Sequence, residues 1–543
     1  MVGRRRYRSA VPHRLPHASG TPSHAIERGG RVGAPRPAPA ERTTLGWLTL
    51  ASIALGLAFA VGTPLFQNPD EPSHVDRIRH QAQHPADLPD ASLRMRDSVV
   101  RMSQSVGLPT RFHSDWPGDV DGPRPSFPSF SAGGGPDGPA RPAQQSYQYA
   151  HPPAYYLLLA PFSRLVEPLR ADLHVLVLRA LTVLLAAPLP WLTWWLALEI
   201  TRDRAVAIGA AGLAGLNGPV VAASSAINND SLAFLGSALV LAVAATVLRD
   251  GRTLARAALL GAAISLAGLT KVTALPVAAA GGLVLLLAPG RDRGRTTAVG
   301  LAFSAPGAWW WLRSLMQDGR LTPGGTEVLD ASGPATEGAG SFLRYAMEHL
   351  GLLMHRALGL YGWAQVLVPD WVAWAALTVT LLLGAGWAVA AGRPSWPSWI
   401  SLLWLAPALA VVSTMRSSFG NYQRTGAITG LAGRYLYPAA PLVWVALVAA
   451  IAAIARRWAP RLERRLAGGT IAAAAVIGLC SLGLCLTGLY GTLGIRTLLA
   501  RMSWVAPIER AGLAVGALTV AVAFTTVRAI RASALSDPSV GTA

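Results

Sequence analysis

The apolar residues of this chain fall into blocks of about twenty, separated by short joints rich in Arg, Gly and Pro, and this pattern constrains its fold more than any other feature. Such blocks cross a bilayer as helices, because a spanning segment must satisfy its own backbone hydrogen bonds. Twelve spans are expected, at 44–66, 174–199, 205–224, 231–248, 255–270, 272–288, 296–312, 369–391, 398–415, 435–455, 468–490 and 509–527. The fold class is therefore all-α, a polytopic integral membrane protein. Residues Tyr155–Val166 form an apolar stretch too short to cross, which predicts an interfacial helix within a long first loop.

Charged residues are only 14% of the chain, so the few at span ends become informative. The formal charge of +19 comes from Arg scattered among hydrophobic spans rather than from a basic domain, which argues against a nucleic-acid partner. Short loops containing Arg202 and Arg204, Arg249 to Arg256, Arg291 to Arg295, Arg393, Arg456 to Arg465, and Arg528 with Arg531 alternate along the chain. Positive side chains are retained in the cytoplasm, so both termini are expected there. Loops 67–172, 313–368 and 416–434 and the turn at Asn229 are then external. Residues 1–43, with nine Arg and much Pro and Gly, read as a disordered tail. Residues 44–455 form the main membrane module, and 456–543 the last helices and a short tail. Cys480 and Cys485 lie five apart in one apolar run and read as packing residues, neither a disulfide nor a metal pair. No helix is expected to carry charge at mid-membrane, and no broken span is expected.

The candidate chemistry lies at external joints. Asp70 and Glu71 follow the first span in NPDEPSH. A helix starting there with Pro72 in its first turn accounts for both acids as helix-start residues. It also sets Asp70 and His74 one turn apart, an arrangement suited to a positioned carboxylate base. Asp76 reads as a solvated partner of Arg77 or Arg79. His151 precedes two prolines at the water boundary. The turn INND holds Asn228, Asn229 and Asp230, as caps or as the lining of an external vestibule. Lys271 is the only lysine of the chain, at an external joint where Arg would anchor as well, so a compact ammonium suits a phosphate there. Arg313, Arg344, Arg356, Arg416, Arg424 and Arg434 are the remaining external cations. Gly433 would let a ligand approach the backbone beside Arg434.

Taken together, NPDEPSH, HPPAYYLLLAP, NNDSLAF, the LTK joint, WWWLRSLMQDG, ALGLYGWAQVLVPDWV and GRYLYPAAP resemble a bacterial polytopic family of unknown function. That family is similar to the GT-C superfamily of polyprenyl-phosphate-sugar glycosyltransferases. The resemblance spans residues 45–455 in order. It implies a multi-pass enzyme of the bacterial plasma membrane that moves a sugar, with inversion, from a polyprenyl-phosphate donor to an acceptor on a cell-envelope glycan, lipid or protein. Asp70, with Glu71 beside it, would be the catalytic base. Lys271, Arg434 and Arg313 would hold the donor phosphate, with His74, His151, Asn229 and Asp230 around the vestibule. No metal or other cofactor is expected. A transporter or flippase for an anionic lipid, and a non-catalytic scaffold of the same fold, are the competing readings.

Overall fold

A computed structural model describes residues 35–90, 92–106, 124–132, 138, 146–290, 292–319, 321, 341–391 and 400–534. Residues 1–34 of the expected tail lie outside these, as do 322–340 of the second long loop. The first helix, Pro39–Gly62, begins five residues earlier than expected, with Pro in its first turn and the Glu41 carboxylate accepting from the Ala38 N–H at 2.6 Å. Residues 39–43 of the expected tail are therefore helical.

Among the described residues, eight helices are long and apolar enough to cross a membrane. Every segment expected to span holds helix, but the expected twelve is not reached by length and apolarity alone. Leu254–Gly268 and Leu275–Leu287 have 15 and 13 residues, about 20 Å each, against a hydrocarbon core of about 30 Å. Arg293–Asp318 has 26 residues but carries three arginines and is less apolar. The expected span 205–224 is two helices, Arg204–Leu216 and Gly218–Ser225, bent by 47°. The expectation that no span is broken is thus corrected. The cause is local, because Pro219 cannot donate a helical hydrogen bond and Asn217 caps the new helix through Val220 N at 3.2 Å.

The helices pack through small residues, as they do where no hydrophobic force separates helix from solvent. Gly261 and Gly268 of one helix meet Gly300 and Gly307 of another so closely that a Cβ on Gly261 would lie 2.2 Å from the Gly300 carbonyl. A Cβ on Gly307 would lie 2.7 Å from Ser265 Cα. Gly307→Leu should therefore push the pair apart and cost about 1–3 kcal/mol, read as a lower unfolding midpoint of the purified protein. A midpoint equal to that of the unsubstituted protein would show that the helices separate freely.

The first loop folds into the helices Glu71–Gln83 and Asp97–Ser105 and the helix Ala154–Val166. The last buries Tyr155, Tyr156, Leu159 and Ser163 and exposes Leu157, Leu158, Phe162 and Leu165, the two-faced pattern of an interfacial helix. Asp76, expected on a solvated surface, is fully buried and accepts from the Arg96 N–H at 2.9 Å. Burial raises its carboxyl above the usual range despite Arg96 beside it. Farther along, residues Leu360–Tyr361 and Val366–Leu367 pair as a small antiparallel hairpin.

Candidate functional site

Pro72 sits in the first turn of Glu71–Gln83, and the helix begins at Glu71 as the acids and proline imply. Asp70 precedes it with φ of 65°, in the left-handed region that Asp tolerates better than most residues. Its side chain makes no cap hydrogen bond. That geometry turns the carboxylate away from the helix end, where a cap would act, and toward residues distant in sequence. Tyr147 Oη donates to Oδ1 at 2.5 Å, and Arg434 Nη2 donates to Oδ2 at 2.9 Å. A donor on each oxygen fixes the plane of the carboxylate, yet its side chain is still 28% exposed.

Arg434 reaches a second acid, with Nε 3.6 Å from Asp230 Oδ2. Asp230 Oδ1 accepts from Lys271 Nζ at 2.7 Å. Lys271 is buried, so it is not the snorkelling surface anchor that its place in the sequence also allowed. Asn229 does not cap its helix either. Its Nδ2 donates to the Thr270 carbonyl at 2.8 Å and ties the INND turn to the Lys271 segment. Asp70, Asp230, Lys271 and Arg434 thus form one charge-balanced cluster from four separate stretches of chain. His151 lies beside it and stacks on His74, ring centroids 6.0 Å apart. Burial, with Lys271 nearby, lowers His151 to about 3, so it is neutral. His74 shares a hydrogen bond with Tyr156 Oη at 3.0 Å, and burial pushes its pKa well down. It therefore supports Tyr156 and His151 rather than orienting the Asp70 carboxylate.

Glu71 is placed otherwise than expected. It is fully buried, and Arg179 grips it with Nε on Oε1 at 2.8 Å and Nη2 on Oε2 at 2.6 Å. Arg179 also donates to the carbonyls of Ala60, Thr63 and Pro64, at 2.8, 2.7 and 2.9 Å, which engages all five of its N–H groups. An enclosed carboxylate held in a bidentate pair cannot reach a substrate, so Glu71 is a structural clamp between the first helix and the Asp70 turn. Sequence reasoning passed over Arg179. A lone Arg inside VLVLRALTV was the signal, since an ionisable residue within an apolar run needs a buried partner.

A cavity of about 210 Å³ opens beside Asp70. Its polar lining includes Asn68, Asp70, Asn228, Arg356 and Arg434, and its apolar wall Phe59, Pro219, Ala222, Ala226 and Tyr361. Cys485 also lines it. Lys271, Asn229 and Asp230 stand behind this lining. Arg313 is not brought to it, and its guanidinium lies over the Trp310 ring at 5.3 Å. The hairpin tip closes one side, with Trp363 Nε1 donating to the Phe66 carbonyl at 2.9 Å. Gly433 lines the cavity beside Arg434 and is also needed for packing, because a Cβ there would meet Ala357 N at 2.1 Å. Among the described residues, no three His, Cys, Asp or Glu side chains gather into a metal cluster.

No curated protein matches the chain. Among solved structures it is similar to ArnT from Cupriavidus metallidurans bound to undecaprenyl phosphate, at 13% identity over 90% of this chain and 77% of that one, with a TM-score of 0.45. The apo state of the same protein gives 13% identity, 89% and 77% coverage and a TM-score of 0.40. An Archaeoglobus fulgidus oligosaccharyltransferase tethered with an acceptor peptide gives 12% identity, 85% and 55% coverage and a TM-score of 0.36. A family profile described as "Predicted membrane protein (DUF2142)" matches residues 53–443, and the chain belongs to that family.

Proposed function

We propose that this protein is a membrane glycosyltransferase that moves a sugar from a polyprenyl-phosphate donor to an acceptor hydroxyl, with inversion, on the external face of a bacterial plasma membrane. The observation that carries the reading is Asp70, a carboxylate fixed by Tyr147 and Arg434 yet partly exposed at the wall of a cavity that also offers guanidinium groups and an apolar side. A base so held takes the proton of the acceptor hydroxyl as its oxygen attacks the anomeric carbon. The bond from that carbon to the phosphate oxygen breaks, and the polyprenyl phosphate leaves with the electron pair. Arg434, with Lys271 behind it, stabilises the charge that develops on the phosphate, which lowers the barrier more than it tightens the ground state. The acceptor is a glycan, lipid or protein hydroxyl of the cell envelope.

The test is transfer of radiolabelled sugar from a polyprenyl-phosphate donor in membranes carrying the chain, against membranes lacking it. Sugar recovered only on the donor, across a panel of donor sugars and envelope acceptors, would overturn the proposal. The bent pair Arg204–Leu216 and Gly218–Ser225 favours a second reading, since broken helices beside a binding cavity are common in transporters. Movement of a labelled anionic lipid between leaflets of proteoliposomes, without sugar transfer, would select it.

The reading requires Asp70 outside. Reporter fusions at 80–90 and 146–150 are expected to report an external location, and fusions within the Arg-rich 456–466 segment a cytoplasmic one. A 456–466 reporter accessible from outside would invert the topology and remove the donor-side assignment of the whole site.

A further inference from the structure

The cations around the Asp70 cavity are not equivalent. Lys271 is matched by Asp230, and Arg434 by Asp70 with Asp230 nearby, so two cations and two carboxylates cancel. Arg356 is different. It belongs to the last turn of Phe342–Leu358, lines the cavity, and donates from Nη1 to the Leu431 carbonyl at 2.9 Å. Among the described residues no carboxylate pairs with it. Burial lowers its guanidinium below the ordinary value, offset only in part by the Tyr345 phenol.

A guanidinium has five N–H donors, and one carbonyl does not exhaust them. Its planar fork matches two oxygens of a phosphate at once, and a partly desolvated cation gains from an anion that fills the space beside it. The bound carbonyl holds the group at the cavity wall, so little side-chain freedom is lost when a ligand arrives. The same cavity is lined by Pro219 and Ala222 of the helix Gly218–Ser225 and by Ala226 just after it, small apolar residues against which a hydrocarbon chain can lie.

We propose that Arg356 is the anchor for the phosphate of a lipid ligand in this cavity, binding it while the Asp70–Arg434 and Asp230–Lys271 pairs stay closed. This rests on the proposed transferase reading and divides its labour. Arg356 provides affinity for the donor before reaction, whereas Arg434 stands beside the base, where charge changes during it. The alternative is that Arg356 only favours a helix C-terminus, where a cation is stabilised by the helix dipole.

Thermal unfolding of the purified full-length chain, titrated with polyprenyl phosphate, the uncharged polyprenol or inorganic phosphate, separates these. Polyprenyl phosphate is expected to protect the wild type far better than polyprenol does. Arg356→Gln should bind polyprenyl phosphate at least about ten-fold more weakly, with the polyprenol response unchanged, and Arg356→Lys should fall between. Arg356→Gln that binds the lipid phosphate as the wild type does would overturn the proposal. So would equal losses for polyprenol and polyprenyl phosphate, which would reduce Arg356 to a helix-end residue. Arg356-dependent protection by inorganic phosphate as strong as by the lipid would assign the site to a free anion and overturn the lipid part. Because binding is read without sugar transfer, failure of the transferase reading leaves this result standing, and the reverse holds too.

Discussion

Asp70→Asn is expected to lower sugar transfer by a factor of about a hundred to ten thousand while the protein still inserts and folds. Asn retains the size of the side chain and one carbonyl oxygen that Tyr147 or Arg434 can still address, and Arg434 keeps Asp230 as a counter-charge. What is lost is the proton-accepting group. The measurement is the initial rate with a radiolabelled polyprenyl-phosphate sugar, beside the unfolding midpoint of the same preparation. A wild-type rate in Asp70→Asn, within a demonstrated transferase, would sink the first-loop base mechanism.

The second large effect is on folding. Arg179→Met should destabilise the protein by about 3–5 kcal/mol, because it leaves Glu71 buried without its counter-charge. It also removes the donors that hold the carbonyls of Ala60, Thr63 and Pro64 at the end of the first helix. Glu71→Gln alone should cost less, since Gln can still accept from Arg179 while that guanidinium keeps its three carbonyls. Glu71→Gln combined with Arg179→Met should be less harmful than the two single costs summed, because each removes the other's unmet partner. The contrast with Asp70→Asn is the useful part. Adjacent acids should fail in different assays, Asp70 in the rate per folded molecule and Glu71 in the amount that folds. Additive costs for the pair, with no change in folded yield, would show that the ion pair is incidental.

The all-α polytopic fold was legible because spanning helices leave a length and polarity signature that does not depend on their partners. Asp70, Asp230, Lys271 and Arg434 were legible as residue types standing at the ends of apolar runs, and they do meet. Arg313 has the same signature and goes elsewhere, since nothing local in a sequence encodes which loop ends converge. Glu71 was taken for a partner of Asp70 because they are neighbours. Asp70 stands before the helix in a left-handed turn while Glu71 begins it, so the two carboxylates leave in different directions and adjacency separates them rather than joins them. Tyr147 carried no signal apart from its place in the loop, for a phenol near a bilayer surface is explained by the interface alone. The bend at Asn217 was readable in principle from NGP, yet the apolar count across it is that of one continuous span.

The two ion pairs at the Asp70 turn also differ in how much chain separates their partners. Glu71 meets Arg179 across 108 residues, whereas Asp70 meets Arg434 across 364. At ribosomal rates of about 5–20 residues per second, the first partner emerges within roughly 5–20 s and the second only after roughly 20–70 s. The turn is therefore anchored early in synthesis, while its carboxylate waits for its cation through the insertion of several later helices. During that interval the nascent protein holds a shaped turn whose carboxylate has yet to meet Arg434. Biogenesis thus orders the two acids in time, with the Glu71–Arg179 clamp secured well before Asp70 meets Arg434.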